Sequence, residues 1–378
     1  MPVQQTAGPG LAVPFLDLAP ANAPLKNVLL QEIAELLESG AFTNGPAVAD
    51  FEHAFAAYCG AEHCIGVSSG LDALRLGFLA SGLEPGEEVV VPAATFVATL
   101  EAVTQAGGVP VVADISEQDY CLDPDAARAA VGPNTRALMP VHLYGQMADM
   151  RALQDFAESR GLVVVEDACQ AHGAERDGLR AGAAGAAAAF SFYPGKNLGA
   201  AGDAGAFVSS DAEAAERVRA LREHGQTRKY VHAVEGWTAR LDTIQALVLS
   251  RKLTYLDEWN GQRRAAAAFY GEALRGVGDL ALPPVAAGSH HVWHLYVVRT
   301  AKPEELAVFL RERGIGTGRH YPYPVHLTDA YAALGYRAGA FPVAEALCRE
   351  CLSLPMFPGI SEAQLTAVAD GVRAFFDG

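Results

Sequence analysis

The sequence predicts an α/β fold with a mostly parallel central sheet and a smaller α+β C-terminal domain. Three observations lead there. Between Cys64 and about Phe207, short apolar runs alternate with amphipathic, helix-period stretches. The runs are continuously apolar, which is the pattern of strands buried on both faces and so of a parallel sheet covered by helices. The chain has 378 residues, 51% of them hydrophobic, enough for a large buried core and for two domains.

The elements follow in order. Leu25–Ser39 has a helical pattern and is expected to pack against the terminal domain. Strand-like runs lie at Cys64–Val67, Glu88–Val91, Val109–Ala113, Ala137–Val141, Leu162–Val165, Ala187–Phe192 and Ala206–Val208. Leu71–Ser81, Thr95–Gln105 and Asp149–Arg160 are amphipathic helices between several of them. Asp211–Glu223 closes this part as a helix, and Arg240–Arg275 reads as one long helix. Leu295–Phe376 mixes strands and helices in the terminal domain. Neither an internal repeat nor a low-complexity linker interrupts the pattern. The apolar run Ala181–Phe192 is too short to span a bilayer and contains Gly182 and Gly185, so it belongs to the interior.

Composition narrows the function. Charged residues make up 19% of the chain, ordinary for a globular enzyme and too little for a disordered one. A formal charge of −16 would repel the phosphates of DNA or RNA, so no nucleic-acid partner is expected. A small anionic substrate remains compatible, because local charge in a cleft can oppose the net charge. Met1–Gly10 lacks the basic start and apolar stretch of a signal peptide, no membrane partner is expected, and the cytoplasm is the expected compartment. Six cysteines are too sparse for a disulfide framework. Cys348 and Cys351 form a C-x-x-C within a helical pattern and without a second pair, so no metal site is expected.

In a sheet of this kind ligands bind beyond the carboxyl ends of the strands. The chemistry-bearing residues fall there. After the first run comes Ser68-Ser69-Gly70-Leu71-Asp72-Ala73-Leu74, a small turn opening a helix, whose free N–H groups suit an anion such as phosphate. The same residues suit a plain serine-capped turn. After the fifth run, Glu166-Asp167 leaves a buried strand, where a carboxylate can meet a cationic ring nitrogen; in pyridoxal-phosphate enzymes it keeps that nitrogen protonated. A metal ligand or a helix cap is the plainer reading. After the sixth run, Lys196 stands in the glycine-rich turn Tyr193-Pro194-Gly195-Lys196-Asn197-Leu198-Gly199, five residues beyond the Ser191 hydroxyl. A lysine so placed is costly to keep charged, and a lowered pKa is what an amine nucleophile forming a Schiff base requires. An exposed loop lysine is the ordinary alternative. Phe96 follows a strand and can stack on a flat ring, although by spacing alone it is a core aromatic. His142, also at a strand end, either lines the site or is a satisfied structural histidine.

Other classes lack their marks. No G-x-G-x-x-G follows an early strand, no Walker A or H-E-x-x-H sequence occurs, and Gly195-Lys196-Asn197 lacks the hydroxyl that would hold magnesium. A DNA-binding regulator would need a reading element and a basic face, and neither is apparent.

These residues resemble the DegT/DnrJ/EryC1/StrS sugar aminotransferases, which have the aspartate-aminotransferase-like fold (PLP fold type I). The resemblance runs from about Val13 to Phe376. It rests on Phe42-Thr43-Asn44-Gly45-Pro46, Gly70-Leu71-Asp72-Ala73-Leu74, Glu166-Asp167-Ala168-Cys169-Gln170-Ala171-His172-Gly173 and Ser191-Phe192-Tyr193-Pro194-Gly195-Lys196-Asn197-Leu198-Gly199. It implies an N-terminal arm over 1–24, a large domain over 25–250 that binds pyridoxal 5'-phosphate, and a small domain over 251–378. Lys196 would hold the cofactor as an imine and shuttle the proton. Asp167 would pair with the ring nitrogen, Gln170 would lie near the ring hydroxyl, Phe96 would stack on the ring, and Ser69, Gly70, Leu71 and Ser191 would hold the phosphate. Pyridoxamine 5'-phosphate would carry the amine between half-reactions, from glutamate or glutamine to a nucleotide-linked keto-sugar. The resemblance also implies a homodimer with shared sites, each completed by the partner's Gly236–Arg240 segment.

Two departures stand out. Many members carry threonine at the position of Leu71, so here the backbone N–H must serve alone. Many carry asparagine at the position of Thr238, where the shorter threonine leaves the contact to the partner's phosphate open. Members with histidine in place of the lysine dehydrate sugars, and Lys196 argues against that activity. Tyr193 and the run after the lysine, with Gly316-Thr317-Gly318-Arg319-His320-Tyr321-Pro322-Tyr323-Pro324-Val325-His326, resemble the enzymes that aminate carbon 3. The expected acceptor is therefore a 3-keto-6-deoxyhexose on dTDP, with Tyr193, Arg240, His320, Tyr321 and His326 as candidate substrate residues. Amination at carbon 4, or of a keto-cyclitol, is the alternative.

Overall fold

The structure, a computed structural model, describes residues 12–378. The segment Met1–Gly10 and the first part of the arm expected over 1–24 lie outside the described residues. The chain enters through α1 (Ala19–Asn22), α2 (Lys26–Ser39) and α3 (Pro46–Cys59). Strand β1 (His63–Val67) leads into α4 (Gly70–Ala80), β2 (Glu88–Pro92) into α5 (Ala98–Gln105), and β3 (Val109–Ala113) into α6 (Pro124–Ala130). Next come β4 (Thr135–Leu138), α7 (Met150–Arg160) and β5 (Val163–Asp167). Two short ribbons, β6 (Glu175–Arg176) and β7 (Leu179–Arg180), precede β8 (Ala187–Ser191), β9 (Gly205–Ser209) and α8 (Ala212–Leu221). The hairpin of β10 (Gln226–Arg228) and β11 (Val231–His232) runs on to α9 (Thr243–Leu253) and α10 (Leu256–Ala273). The terminal segment holds β12 (Ser289–His290), β13 (Tyr296–Arg299), α11 (Pro303–Glu312), α12 (Pro342–Glu350), β14 (Cys351–Leu354) and α13 (Glu362–Asp377).

The central sheet has seven strands in the order β1-β9-β8-β5-β4-β2-β3. Only β9 runs against the others, pairing antiparallel with both β1 and β8. The expected mostly parallel sheet is therefore present, and its strands are buried along most of their length. The interior includes Phe190 and Phe192, the end of the run expected to be buried. Aspartates and serines start the helices: Ser69, Asp149 and Asp211 accept backbone N–H groups of α4, α7 and α8, and Ser361 forms a capping box on α13. Two hydrophobic cores result. One surrounds the seven-stranded sheet; the other gathers Tyr270, Tyr296, Leu306, Leu310, Leu352 and Val368 from α10, β13, α11, β14 and α13. None of the described helices is long and apolar enough to cross a membrane.

Three elements differ from expectation. The run Ala137–Val141 is regular strand only to Leu138, because Pro140 has no N–H to donate; Met139 N still reaches the Val90 carbonyl at 2.8 Å, the Pro140 carbonyl accepts Asp167 N at 2.9 Å, and Val141 pairs with Asp167 in a single bridge. The long helix expected over Arg240–Arg275 is two helices: Thr254 caps α9 and its hydroxyl bonds back to the Arg251 carbonyl at 2.9 Å, while Arg240 and Asp242 are extended in bridges to Val67 and Thr43. Helix α2 packs on α9, where Arg251 pairs with Glu32, rather than on the terminal segment.

Candidate active site

The end of β1 builds an anion-ready turn. Ser69 is in extended conformation, and its Oγ accepts Asp72 N at 3.1 Å, so α4 begins at Gly70 with its first N–H groups lacking intrahelical partners. Gly70 is required by closeness. A Cβ there would lie 2.7 Å from both Cys169 Sγ and Ser191 Cβ, so the turn sits directly against the ends of β5 and β8. Gly205 does the same from β9, where a Cβ would lie 2.3 Å from the Ser69 carbonyl. Beside the turn, the Ser68 hydroxyl donates to Asp72, Asp72 pairs with Arg75, and Arg75 lies over Trp237 at 4.8 Å.

Asp167 ends β5 and is buried. Its Oδ2 accepts the Thr99 hydroxyl at 2.8 Å, and its Oδ1 accepts Cys169 N at 3.2 Å. Since Thr99 donates to Asp167, the Thr95 hydroxyl 2.7 Å away must donate to Thr99. Both donors to the carboxylate are neutral, which leaves its charge available to a cationic N–H. Gln170 is clamped nearby: its Oε1 accepts Tyr144 N at 2.7 Å, and its Nε2 donates to the Tyr321 hydroxyl at 3.1 Å.

Lys196 stands in the turn after β8. Its N–H donates to the Tyr193 carbonyl at 2.8 Å, and Ala200 N closes the turn on the Phe192 carbonyl at 2.8 Å. Burial pushes the amine pKa below the usual lysine range, although nearby Cys169 and Asp167 oppose the shift. The adjacent Asn197 is anchored at both ends of its amide: Nδ2 donates to Asn260 Oδ1 and to the Val292 carbonyl, each at 2.8 Å, and Oδ1 meets His294 Nδ1 at 3.2 Å. Ser191, whose Cβ lies against Gly70, accepts Tyr193 N through its hydroxyl at 3.3 Å.

Aromatic groups lie beside these residues. Phe96 is 52% exposed, which spacing alone does not reveal, and its ring is 5.5 Å from that of Tyr321. Tyr193 is also exposed. His320 stacks on Phe15 at 5.3 Å and bonds Ser353 Oγ through Nδ1 at 2.8 Å; burial and the Lys196 charge push its pKa down to about 4. Burial, with the Asp167 charge, pushes the Tyr321 hydroxyl up.

Other candidates are placed elsewhere. His142 is fully buried between Glu166 Oε2 at 2.8 Å and Ala148 N at 3.2 Å; it does not line the site but anchors, with Glu166, the 182–185 backbone. His326 is 2% exposed, packs on Phe341 at 4.7 Å and meets Glu345 at 3.2 Å, so its ring faces α12. Thr238 is exposed and its hydroxyl meets His224 Nε2 at 2.9 Å within the same chain. Arg240 pairs with Glu223 at 3.0 Å. Burial alone would raise the Glu223 carboxyl, but hydrogen bonds from Asn44 and Arg240 hold it below its usual range. Cys348 and Cys351 are buried free thiols, and no group of metal-binding side chains occurs among the described residues. Thr99, Cys169 and Asn197 join the site without having been singled out. Thr99 carried no signal of its own, being a buried threonine in the first turn of α5.

The arrangement joins a phosphate-ready turn, an exposed aromatic face, a buried carboxylate with neutral partners and an amine of lowered pKa. A phosphorylated, cationic heteroaromatic ring fits all four, and an amine is the group to join it covalently.

Comparison with known proteins agrees. The chain is 48% identical to dTDP-3-amino-3,4,6-trideoxy-alpha-D-glucose transaminase of Streptomyces venezuelae, over 96% of this chain and 95% of that protein. It is 42% identical to dTDP-3-amino-3,6-dideoxy-alpha-D-galactopyranose transaminase of Aneurinibacillus thermoaerophilus, over 96% and 99%. The crystal structure of S. venezuelae DesV in complex with a ketimine intermediate superimposes with a TM-score of 0.95 at 48% identity, covering 97% of this chain and 99% of that one. The model of the DegT/DnrJ/EryC1/StrS aminotransferase family matches residues 25–373, and the chain belongs to that family.

Proposed function

We propose that this chain transfers an amino group from glutamate or glutamine to carbon 3 of a 3-keto-6-deoxyhexose carried on dTDP, in deoxyamino sugar biosynthesis. Membership of the family makes it an aminotransferase dependent on pyridoxal 5'-phosphate. The observation that carries the finer reading is the 48% identity, along nearly the whole chain, to a transaminase named for a dTDP-3-amino sugar.

When bound, the cofactor supplies an electron sink and carries the amine between half-reactions as pyridoxamine phosphate. Ser69, Gly70, Leu71 and Ser191 would hold its phosphate, Phe96 would cover the ring, Gln170 would meet the ring hydroxyl, and Asp167 would hold the proton on the ring nitrogen. Burial lowers the pKa of the Lys196 amine, the direction a general acid–base needs for Nζ to take up and return a proton. Tyr193 in the lysine turn, Tyr321 on Gln170 and His320 against Tyr321 would be placed to aim the sugar ring. His320, neutral at physiological pH, offers a hydrogen bond without a charge. Thr238 and Arg240 belong to the segment that would complete a partner chain's site in a homodimer; a monomer in sedimentation would end that part of the reading. His326, turned toward Glu345, keeps only a packing role in it.

Incubating the enzyme with glutamate and with 3-keto and 4-keto isomers of the nucleotide sugar, then locating the nitrogen by NMR, tests the assignment. A product aminated at carbon 3 is expected. A product aminated only at carbon 4, or only on a keto-cyclitol, refutes the regiochemistry and leaves the cofactor chemistry standing.

A further inference from the structure

The lysine turn is held by α9, and one of the holding groups is a buried cation. Lys252, near the end of α9, is 7% exposed, and its Nζ donates to the Gly199 carbonyl at 2.8 Å. Burial alone pushes its pKa down to about 8. An ammonium kept out of water costs stability, whereas an apolar side chain of similar volume would not, so its retention calls for a role. Seven residues earlier on the same helix, Gln245 Oε1 accepts Ala201 N at 2.8 Å. Two helical turns separate the two side chains, so they share one face of α9. That face therefore grips the backbone on both sides of the Gly199–Ala201 exit from the turn. The turn itself has no slack: a Cβ on Gly199 would lie 2.3 Å from the Pro194 carbonyl oxygen.

We propose that Lys252 is a positioning residue for Lys196, fixing through the Gly199 carbonyl the turn that aims the reactive amine. The proposal rests on Lys196 being the catalytic lysine. A lysine side chain has four rotatable bonds, so the backbone beneath it must be fixed for its amine to meet substrate at a set angle. Misplacement by about 1 Å costs on the order of 10²-fold in rate. Asn197, tied to Asn260 and Val292, holds the middle of the turn, and Lys252 with Gln245 holds its end.

The test uses the full-length, cofactor-loaded enzyme. Lys196→Ala serves as the control: it must abolish the visible absorbance of the lysine-bound cofactor, and if it does not, the reading of Lys196 fails by itself. Lys252→Met keeps the stem and removes the donor; Lys252→Arg restores a donor. The Met variant is expected to retain cofactor, to lose roughly tenfold or more in kcat with the KM for the amino donor within about twofold, and to move the pH midpoint at which the visible absorbance titrates. The Arg variant is expected to recover most of both. A Met variant with kcat and midpoint equal to the wild type, whatever its Tm, overturns the proposal and leaves Lys252 a plain structural anchor. Should that variant fail to fold, Gln245→Leu removes the companion contact alone and should show the same split; an unchanged kcat and midpoint there overturn the proposal equally.

Discussion

At the scale of single residues, the site turns on how each polar group spends its hydrogen bonds. Asp167 receives only neutral donors, Thr99 and the Cys169 N–H, and so keeps its charge for a ring nitrogen. Replacing it by asparagine keeps the volume and a hydrogen-bond acceptor but removes that charge. We expect Asp167→Asn to fold with little change in Tm and to lose ~10²-fold or more in kcat, as for other electrostatic groups aimed at a reacting centre; a wild-type rate would show that Asp167 is not the ring partner. Lys196→Ala should leave no measurable turnover, and retained transamination would remove the lysine from the mechanism. Lys196, Asp167, Ser69 and Ser191 were legible in the sequence because strand ends announce themselves as small or charged residues after apolar runs. Thr99 was not, since a buried threonine early in a helix looks like any other until its acceptor, 68 residues away, is known. His326 was misplaced and His142, open between the site and a structural role, took the structural one: a histidine beside a strand end or in an aromatic loop carries no mark of which way its ring turns, and both rings turn to glutamates.

At the scale of elements, the strands of the central sheet were readable because continuous apolar runs have few other uses, and β3 appears with the bounds expected. What was unreadable was where local chemistry interrupts a pattern. Pro140 stops a regular strand and Thr254 stops a helix, although the hydrophobic periodicity continues through both. The contact of α4 with β5 and β8 was likewise hidden, as one glycine among 38 does not declare which neighbour excludes its side chain. It does so at Gly70, which gives a prediction about the whole strand–turn–helix unit. Gly70→Ala puts a methyl 2.7 Å from Cys169 Sγ and Ser191 Cβ, so the turn must retreat from β8. Overpacking of this kind costs about 1–3 kcal/mol. Were it spent against cofactor binding, it would correspond to roughly a five- to 150-fold loss of affinity. Titration of the cofactor into the cofactor-free variant measures it, and affinity equal to the wild type would mean that the turn does not carry the phosphate.

At the scale of the whole molecule, the fold keeps several buried histidines neutral at pH values where an exposed imidazole would be protonated. His172, fully buried between Phe190 and Phe192, and His291, stacked on Trp293 at 3.9 Å, both have pKa values pushed down by burial to about 3. In the unfolded chain they would titrate near ~6.5. Their folded pKa values are the lower ones, so below that point the unfolded state binds protons that the folded state does not. Stability is therefore fully present above ~6.5 and is lost as pH falls toward 3. By pH ~5 each would remove on the order of 2 kcal/mol, as would His320 with its pKa pushed down to about 4, so the three remove about 6 kcal/mol together, and His294, held low by burial and by the charges of Lys196 and Arg263, adds to the loss. The carboxylates held low, among them Glu223, Glu345 and Glu350, act later, once pH drops below the ordinary glutamate range. The acid limb should thus begin with the histidines. A chain of this length gains roughly 0.8 kcal/mol/K of unfolding entropy, so the Tm of the cofactor-free protein should fall by about 7 °C or more between pH ~7.5 and ~5. His291→Gln, which can keep an acceptor for the Trp293 N–H without titrating, should flatten that slope by about a third at most. Differential scanning calorimetry across the range decides it: a Tm unchanged down to pH ~5 would mean that the buried histidines do not bear the acid sensitivity of the fold.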